Sequence, residues 1–205
     1  GYDWTPIDVY DDPYFMGTFD GNDHTISGLT IDNVDVAGNF GLFGSTACTI
    51  RDVHVSGEFI DKANGRSDYW FGSIAGYTNG DIIGCTADFT VSSDDGVLRG
   101  RTIGGIVGEI LGITESVTLE NCVSNTTITG ELSGTTYVGG AYIGGIGGNV
   151  GNVEIINCRN NGDITITDTG DFGYIGGIVG QTWAYEDEWG DTENSPGVVL
   201  DHCVN

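Results

Sequence analysis

Residues 103–111 read Ile-Gly-Gly-Ile-Val-Gly-Glu-Ile-Leu, and residues 119–122 read Leu-Glu-Asn-Cys. The first stretch holds an apolar box bracketed by glycines. The second is an aliphatic residue, two variable positions and a cysteine. Both recur. The box returns as GLFG at Gly41–Gly44, GSIAG at Gly72–Gly76, GGIVG at Gly104–Gly108, GGIGG at Gly144–Gly148 and GGIVG at Gly176–Gly180. The second pattern forms the pairs Ile26/Leu29, Ile50/Val53, Ile82/Cys85, Leu119/Cys122, Ile155/Cys158 and Leu200/Cys203. The two alternate along the whole chain. One unit is too small to bury an apolar face alone, so neighbouring units must stack to make a core. No unit carries an amphipathic helix. The residues are β-branched or aromatic and are interrupted every few positions by turn-formers, the pattern of short strands. The expected fold is therefore all-β, a parallel β-helix of about five to six coils with loop insertions, forming one array over residues 1–205. Coils would pair at ~4.8 Å.

Glycine fills 36 of 205 positions and proline only three. Fixed offsets beside Ile, Val and Phe make these glycines markers of sharp turns or close backbone approach rather than of low complexity. An alanine at Gly108 or Gly180 is expected to be costly if φ is positive there. The unequal spacing of the pairs reflects insertions at coil corners, at residues 60–69, 92–101 and 181–198. Residues 1–15 include Tyr2, Trp4, Tyr10, Tyr14 and Phe15, too aromatic for a free tail, and are expected to cap the N-terminal end of the stack. The last ladder cysteine lies two residues before Asn205, which suggests an array cut from a longer protein.

Thirty acidic residues face six basic ones, a net charge of -24. That field repels phosphate backbones and anionic lipid, so nucleic acid is excluded as a partner. No apolar run is long enough to insert into a membrane. Calcium, basic partners or plain solubility suit the charge better.

Four of the five cysteines, Cys85, Cys122, Cys158 and Cys203, share one repeat column whose earlier members are Leu29 and Val53. A position that accepts Leu, Val or Cys faces inward, so these residues form a structural ladder of free buried thiols. Oxidised pairs are the alternative, but in-register parallel side chains give the disulfide dihedral poorly. Spacings of 36 or 37 residues do not match structural zinc.

Candidate sites concentrate in the last insertion. Trp183, Tyr185 and Trp189 are candidate binding residues, since exposed Trp and Tyr are frequent contact anchors and suit sugars beside carboxylates. The same side chains also suit pinning the insertion to the coil. Glu186, Asp187, Glu188 and Asp191 are a candidate calcium site, because a hard cation takes clustered carboxylate oxygens. No other cofactor is implied. For catalysis, Asp94 and Asp95 form an adjacent pair in a loop, but a glycosidase needs two carboxylates facing each other across the bond. Arg99 and Arg101 read as loop-edge salt bridges. Tyr69, Trp70 and Phe71 abut a glycine box and read as core. No residue is assigned a catalytic role, and no His-Glu-x-x-His occurs.

The segment Phe15–Thr30, FMGTFDGNDHTISGLT, followed by GLFG, resembles the GLUG-motif family. Trp4-Thr5-Pro6-Ile7, the Gly-Gly-Ile-Val-Gly boxes, and the steps Asn121-Cys122 and Asn157-Cys158 extend the resemblance over nearly the whole chain. Asp23 departs from it, where the family usually has glycine. The resemblance implies a right-handed β-helical repeat region of an exported bacterial surface protein, of the kind found in some immunoglobulin A peptidases. The expected function is thus a non-catalytic, monomeric, adhesin-like module at the cell surface or secreted. It would bind a host or cell-surface glycan or protein. The alternatives are a rigid structural spacer, or a carbohydrate-active enzyme or accessory region of a surface peptidase.

Overall fold

The computed structural model describes residues 2–8, 15–33, 38–65, 68–112, 116–132, 141–168, 173–183 and 197–205. All named strand pairs are parallel and no helix occurs among the described residues. The strands make three walls. A long wall stacks Thr18–Asp32, Thr49–Asp61, then the segmented layers beginning at Ile82–Ile83, Val117–Glu120 and Val153–Ile156, and finally Val198–Asp201. A second wall stacks Asn39–Phe40, Trp70–Gly72, Thr102–Gly104, Ala141–Gly144 and Gly173–Gly176. A third stacks Phe43–Thr46, Ala75–Thr78, Val107–Leu111, Gly147–Gly151 and Val179–Trp183. Five strands in each of these two walls carry the solenoid through about four turns.

Each box is the corner between the second and third walls. Its central residue points inward: Leu42, Ile74, Ile106 and Ile146 are fully buried. The backbone is tied from coil to coil at that point, Ile74 N–H donating to Ile106 O and Ile106 N–H to Ile146 O. Phe40, Phe71, Ile103 and Ile143 form a second buried column in strict register. In the first coils it packs on the long wall through aromatic contacts, Phe59–Phe71 at 4.5 Å and Phe71–Phe89 at 5.9 Å between ring centres. In later coils isoleucine replaces phenylalanine.

The glycines at the corner have a steric cause. A Cβ on Gly108 would lie 2.5 Å from Gly76 O and 2.9 Å from Phe71 N, and one on Gly180 would lie 2.6 Å from Ile143 N. Neither has positive φ. The expected intolerance therefore rests on backbone approach and not on the left-handed conformation. Left-handed residues occur elsewhere, immediately before the ladder position: Asp52, Gly84, Asn121, Asn157 and His202 all have φ between 51° and 65°. Asn, Asp and Gly tolerate that region best, which explains the Asn-Cys steps.

From Val53 onward the column is continuous from coil to coil. Cys85, Cys122 and Cys158 are buried, Cys203 is partly exposed, and all five cysteines are free. Each ladder thiol donates to a carbonyl of the preceding coil, as Cys122 Sγ does to Ile82 O at 3.4 Å. Bonds to Cys158 and Cys85, with burial, push the Cys122 thiol well up. Leu29, however, pairs with Gly57, and the residue paired with Val53 is His24. Phe19, not Ile26, pairs with Ile50, and the positive-φ residues Asn22 and Asp23 shift the register before His24, so Ile26 and Leu29 lie past the column, opposite Val55 and Gly57.

The loops after residues 61 and 93 are anchored by one buried carboxylate. Asp61 accepts from Asn33 Nδ2 at 2.7 Å, from Tyr69 Oη at 2.8 Å and from the Arg99 backbone N–H at 2.5 Å. Burial pushes its pKa up against the pull of those donors and of the Arg99 guanidinium. At the start of the chain, Tyr2–Asp3 pairs with Leu29–Thr30, Ile7 with Phe43 and Phe15 with Thr46, a partial layer over the first coil. At the other end, Ile175 and Leu200 are 46% and 50% exposed, whereas their partners one layer below, Ile143 and Ile155, are fully buried.

Candidate functional site

Outward positions of the second and third walls converge beside the glycine corner. In the second wall the column is Asn39, Trp70, Thr102, Tyr142 and Tyr174, one residue per coil. In the third it is Ser45, Tyr77, Glu109, Asn149 and Gln181. Side-chain contacts show that the columns face each other. Asn39 Nδ2 donates to Ser45 Oγ at 2.6 Å, and the Glu109 carboxyl sits beside the Trp70 indole N–H. The result is a groove filled by its own side chains, parallel to the solenoid axis with one facing pair per coil, spaced at ~4.8 Å.

Exposure varies from coil to coil, with Thr102 and Asn149 buried in the third and fourth coils and only the last reaching solvent freely. Asn39 and Ser45 are buried, Trp70, Tyr77, Glu109 and Tyr142 are half-buried, and Tyr174 is 47% exposed. The Tyr142 and Tyr174 rings stack at 5.4 Å between centres on successive coils. Arg101 places its guanidinium 5.8 Å from the Trp70 ring. Burial pushes the Glu109 carboxyl above its usual range, partly offset by the Trp70 N–H and by Arg101, while Asp68 adds to the rise. Four polar atoms of these columns, Asn39 Oδ1, Trp70 Nε1, Thr102 Oγ1 and Asn149 Oδ1, are buried without a hydrogen-bond partner, the Trp70 N–H lying near the Glu109 carboxyl but outside hydrogen-bond geometry. Native proteins satisfy nearly all such atoms, which marks the floor as unusual.

The sequence-predicted candidates fare unevenly. Trp183 ends the last strand of the third wall, paired with Gly151, and lines an open cavity of about 310 Å³ with Thr182, Gly197, Val198 and Leu200. Tyr185, Glu186, Asp187, Glu188, Trp189 and Asp191 lie outside the described residues. Asp94 and Asp95 are tied to different partners, the Ala63 backbone N–H and the Arg99 guanidinium. Arg99 makes the expected loop-edge bridge, and Asp95 is held well below the usual carboxylate range by it. Tyr69 and Phe71 are core as expected, but Trp70 between them faces the groove.

Sequence reading missed the groove although its signal is simple. Its members lie two residues before the first glycine of each box and one residue after the last. Apart from Tyr142 and Tyr174 these positions change residue type from repeat to repeat, so a search for repeated identity passes over them.

Comparison with known proteins agrees with the architecture. No family model matches the chain. Halomucin of Haloquadratum walsbyi is 36% identical over 112 residues, covering 54% of this chain and 1% of that protein. A solved structure from Bacteroides ovatus, provisionally assigned as an immunoglobulin A1 protease, superposes over 98% of the chain with a TM-score of 0.57 and 17% identity. The chain spans 63% of that structure. At this identity the likeness establishes a shared fold, an all-β parallel solenoid, and nothing of its chemistry.

Proposed function

We propose that the chain is a non-catalytic repeat module of a cell-surface or secreted protein, related to the GLUG-motif repeats and acting as an adhesin-like binding stalk. The coil is right-handed in this reading, in line with the strong preference of parallel crossovers. It runs to five or six coils if the layer begun by Val198–Asp201 is counted. The extracellular setting is supported by the names of the two similar proteins, a mucin and a protease named for an immunoglobulin. The observation that carries the binding role is the pair of columns along the groove, aromatic and polar groups in coil-to-coil register that end on the exposed Tyr174 and leave buried polar atoms unpartnered. A structural spacer would need none of these.

The test is retention of the fluorescently labelled chain on surfaces coated with mucin, with deglycosylated mucin or with albumin. Retention on either mucin surface above albumin supports a binding module. Equal, low retention on all three puts the rigid spacer first, a reading favoured by the continuous buried core that runs from the first coil to Cys158.

A further inference from the structure

We infer that Asn64 is a site of spontaneous covalent modification, an exposed asparagine that closes on the Gly65 backbone nitrogen and becomes an acid, while the coils hold back the other two Asn-Gly steps. The inference is independent of the binding role proposed above and needs no reactant but water.

The chemistry belongs to the dipeptide. The backbone nitrogen after the asparagine loses its proton and attacks the side-chain amide carbon. A C–N bond forms, ammonia leaves and a five-membered succinimide remains. Water then opens either imide carbonyl, giving aspartate or isoaspartate. Glycine favours the step because no Cβ hinders its nitrogen and its backbone turns freely. The sequence holds three such steps, Asn64-Gly65, Asn79-Gly80 and Asn161-Gly162.

The structure separates them. Ring closure needs the local backbone to rotate, so its rate follows the cost of local opening. Asn79 follows the third-wall strand Ala75–Thr78 and donates its N–H to Thr46 O of the preceding coil, and Gly80 N–H is held by Thr78 Oγ1 at 3.0 Å. Asn161 donates to Ser124 O through its backbone and to Asn125 Oδ1 through its side chain. Gly162 N–H is held by Asn160 Oδ1 at 3.2 Å. Behind both glycines stands the backbone of the preceding coil. A Cβ would lie 2.2 Å from Cys48 O at Gly80 and 2.0 Å from Thr126 O at Gly162. Asn64 lies outside the strand pairing, in the exposed turn that follows Thr49–Asp61. Gly65 N–H returns only to Lys62 O of the same turn, at 2.8 Å, and what its missing Cβ would meet is the end of a side chain, Asn33 Oδ1. That same oxygen accepts from Lys62 N–H, and Asp94 accepts from Ala63 N–H. Conversion therefore adds a carboxylate next to the residue that Asp94 holds. As isoaspartate it also adds one backbone carbon to the turn, which loosens the clip on Asn33.

The experiment ages the folded 205-residue chain in mildly alkaline buffer and reads each Asn-Gly step by peptide mass spectrometry. The chain in concentrated guanidinium chloride is the unfolded reference, and it should convert at all three steps at comparable rates. In the folded chain Asn64 should convert about tenfold faster than Asn79 or Asn161, the rate equivalent of one coil-to-coil hydrogen bond that has to open. Hydrogen exchange at Lys62 and Gly65 should then be faster in the aged chain than in the fresh one. Asn64→Gln keeps the amide on a longer side chain that does not close the five-membered ring. It should abolish both changes, with thermal melting of the fresh variant confirming the fold. Equal rates at the three steps in the folded chain overturn the inference, as does an Asn64 that stays intact while the unfolded chain converts. Unchanged exchange in a converted chain overturns the loosening of the turn.

Discussion

Glu109 shows how one residue reports on the groove. It sits in the third wall facing Trp70, with Arg101 and Asp68 as its charged neighbours, and burial raises its pKa. A carboxyl whose pKa is raised in the folded state keeps its proton to higher pH there than in the unfolded chain. The unfolded chain ionises first as pH rises, so stability is lost between the ordinary carboxylate range and the raised value. Glu109→Gln keeps a neutral group of similar shape and removes that loss. The expected outcome is that the variant gains melting temperature over the parent as pH rises above the ordinary carboxylate range. A constant offset as pH rises would mean that Glu109 titrates normally.

At the scale of the element, the glycine corner decides whether second and third walls can meet. Gly108→Ala forces a methyl against the backbone of Gly76 and Phe71. It should cost about 3 kcal/mol, read as a lower urea midpoint. Gly28→Ala meets nothing within 4 Å and is strained only by its φ of 75°, so it should cost about 1–2 kcal/mol. Equal losses would remove the steric account of the box. The corner and its neighbours also show what the sequence discloses. The boxes and the ladder were legible because identical constraints select similar residues in every coil. In the first coil the spacing of Ile26 and Leu29 imitates the ladder pair, whereas Phe19 and His24 occupy it, set further apart by the left-handed Asn22 and Asp23. Spacing between apolar residues carries no trace of such a shift. The facing of Trp70 and Glu109, 39 positions apart, depends on the angle between two walls, which no local pattern encodes.

For the molecule as a whole, the charge is the dominant variable. A net charge of -24 on one narrow solenoid is self-repulsive, and only six basic residues relieve it. Arg51 with Asp20, and Arg99 with Asp95 and Asp61, account for two of the six. Raising salt shortens the screening length from about 10 Å at 0.1 M to about 3 Å at 1 M. The chain should therefore gain about 2 kcal/mol, or roughly 4–8 °C in melting temperature, over that range. A melting temperature independent of salt would show that the carboxylates are spaced widely enough to ignore one another.

The in-register parallel stacking has a mechanical corollary. Each coil is held by its two neighbours, so tension applied between the chain ends should peel the rod one coil at a time instead of rupturing it at once. Corresponding ladder positions lie 45 residues apart from Ile155 to Leu200, 36 from Leu119 to Ile155, 37 from Ile82 to Leu119 and 32 from Ile50 to Ile82. At ~3.4 Å per residue the released lengths run from about 150 Å down to about 110 Å. Optical-tweezer extension should show a staircase of unequal steps in that order if peeling starts at the exposed last coil. Such a rod would act as a shock absorber, yielding length in instalments while the remaining coils keep their grip.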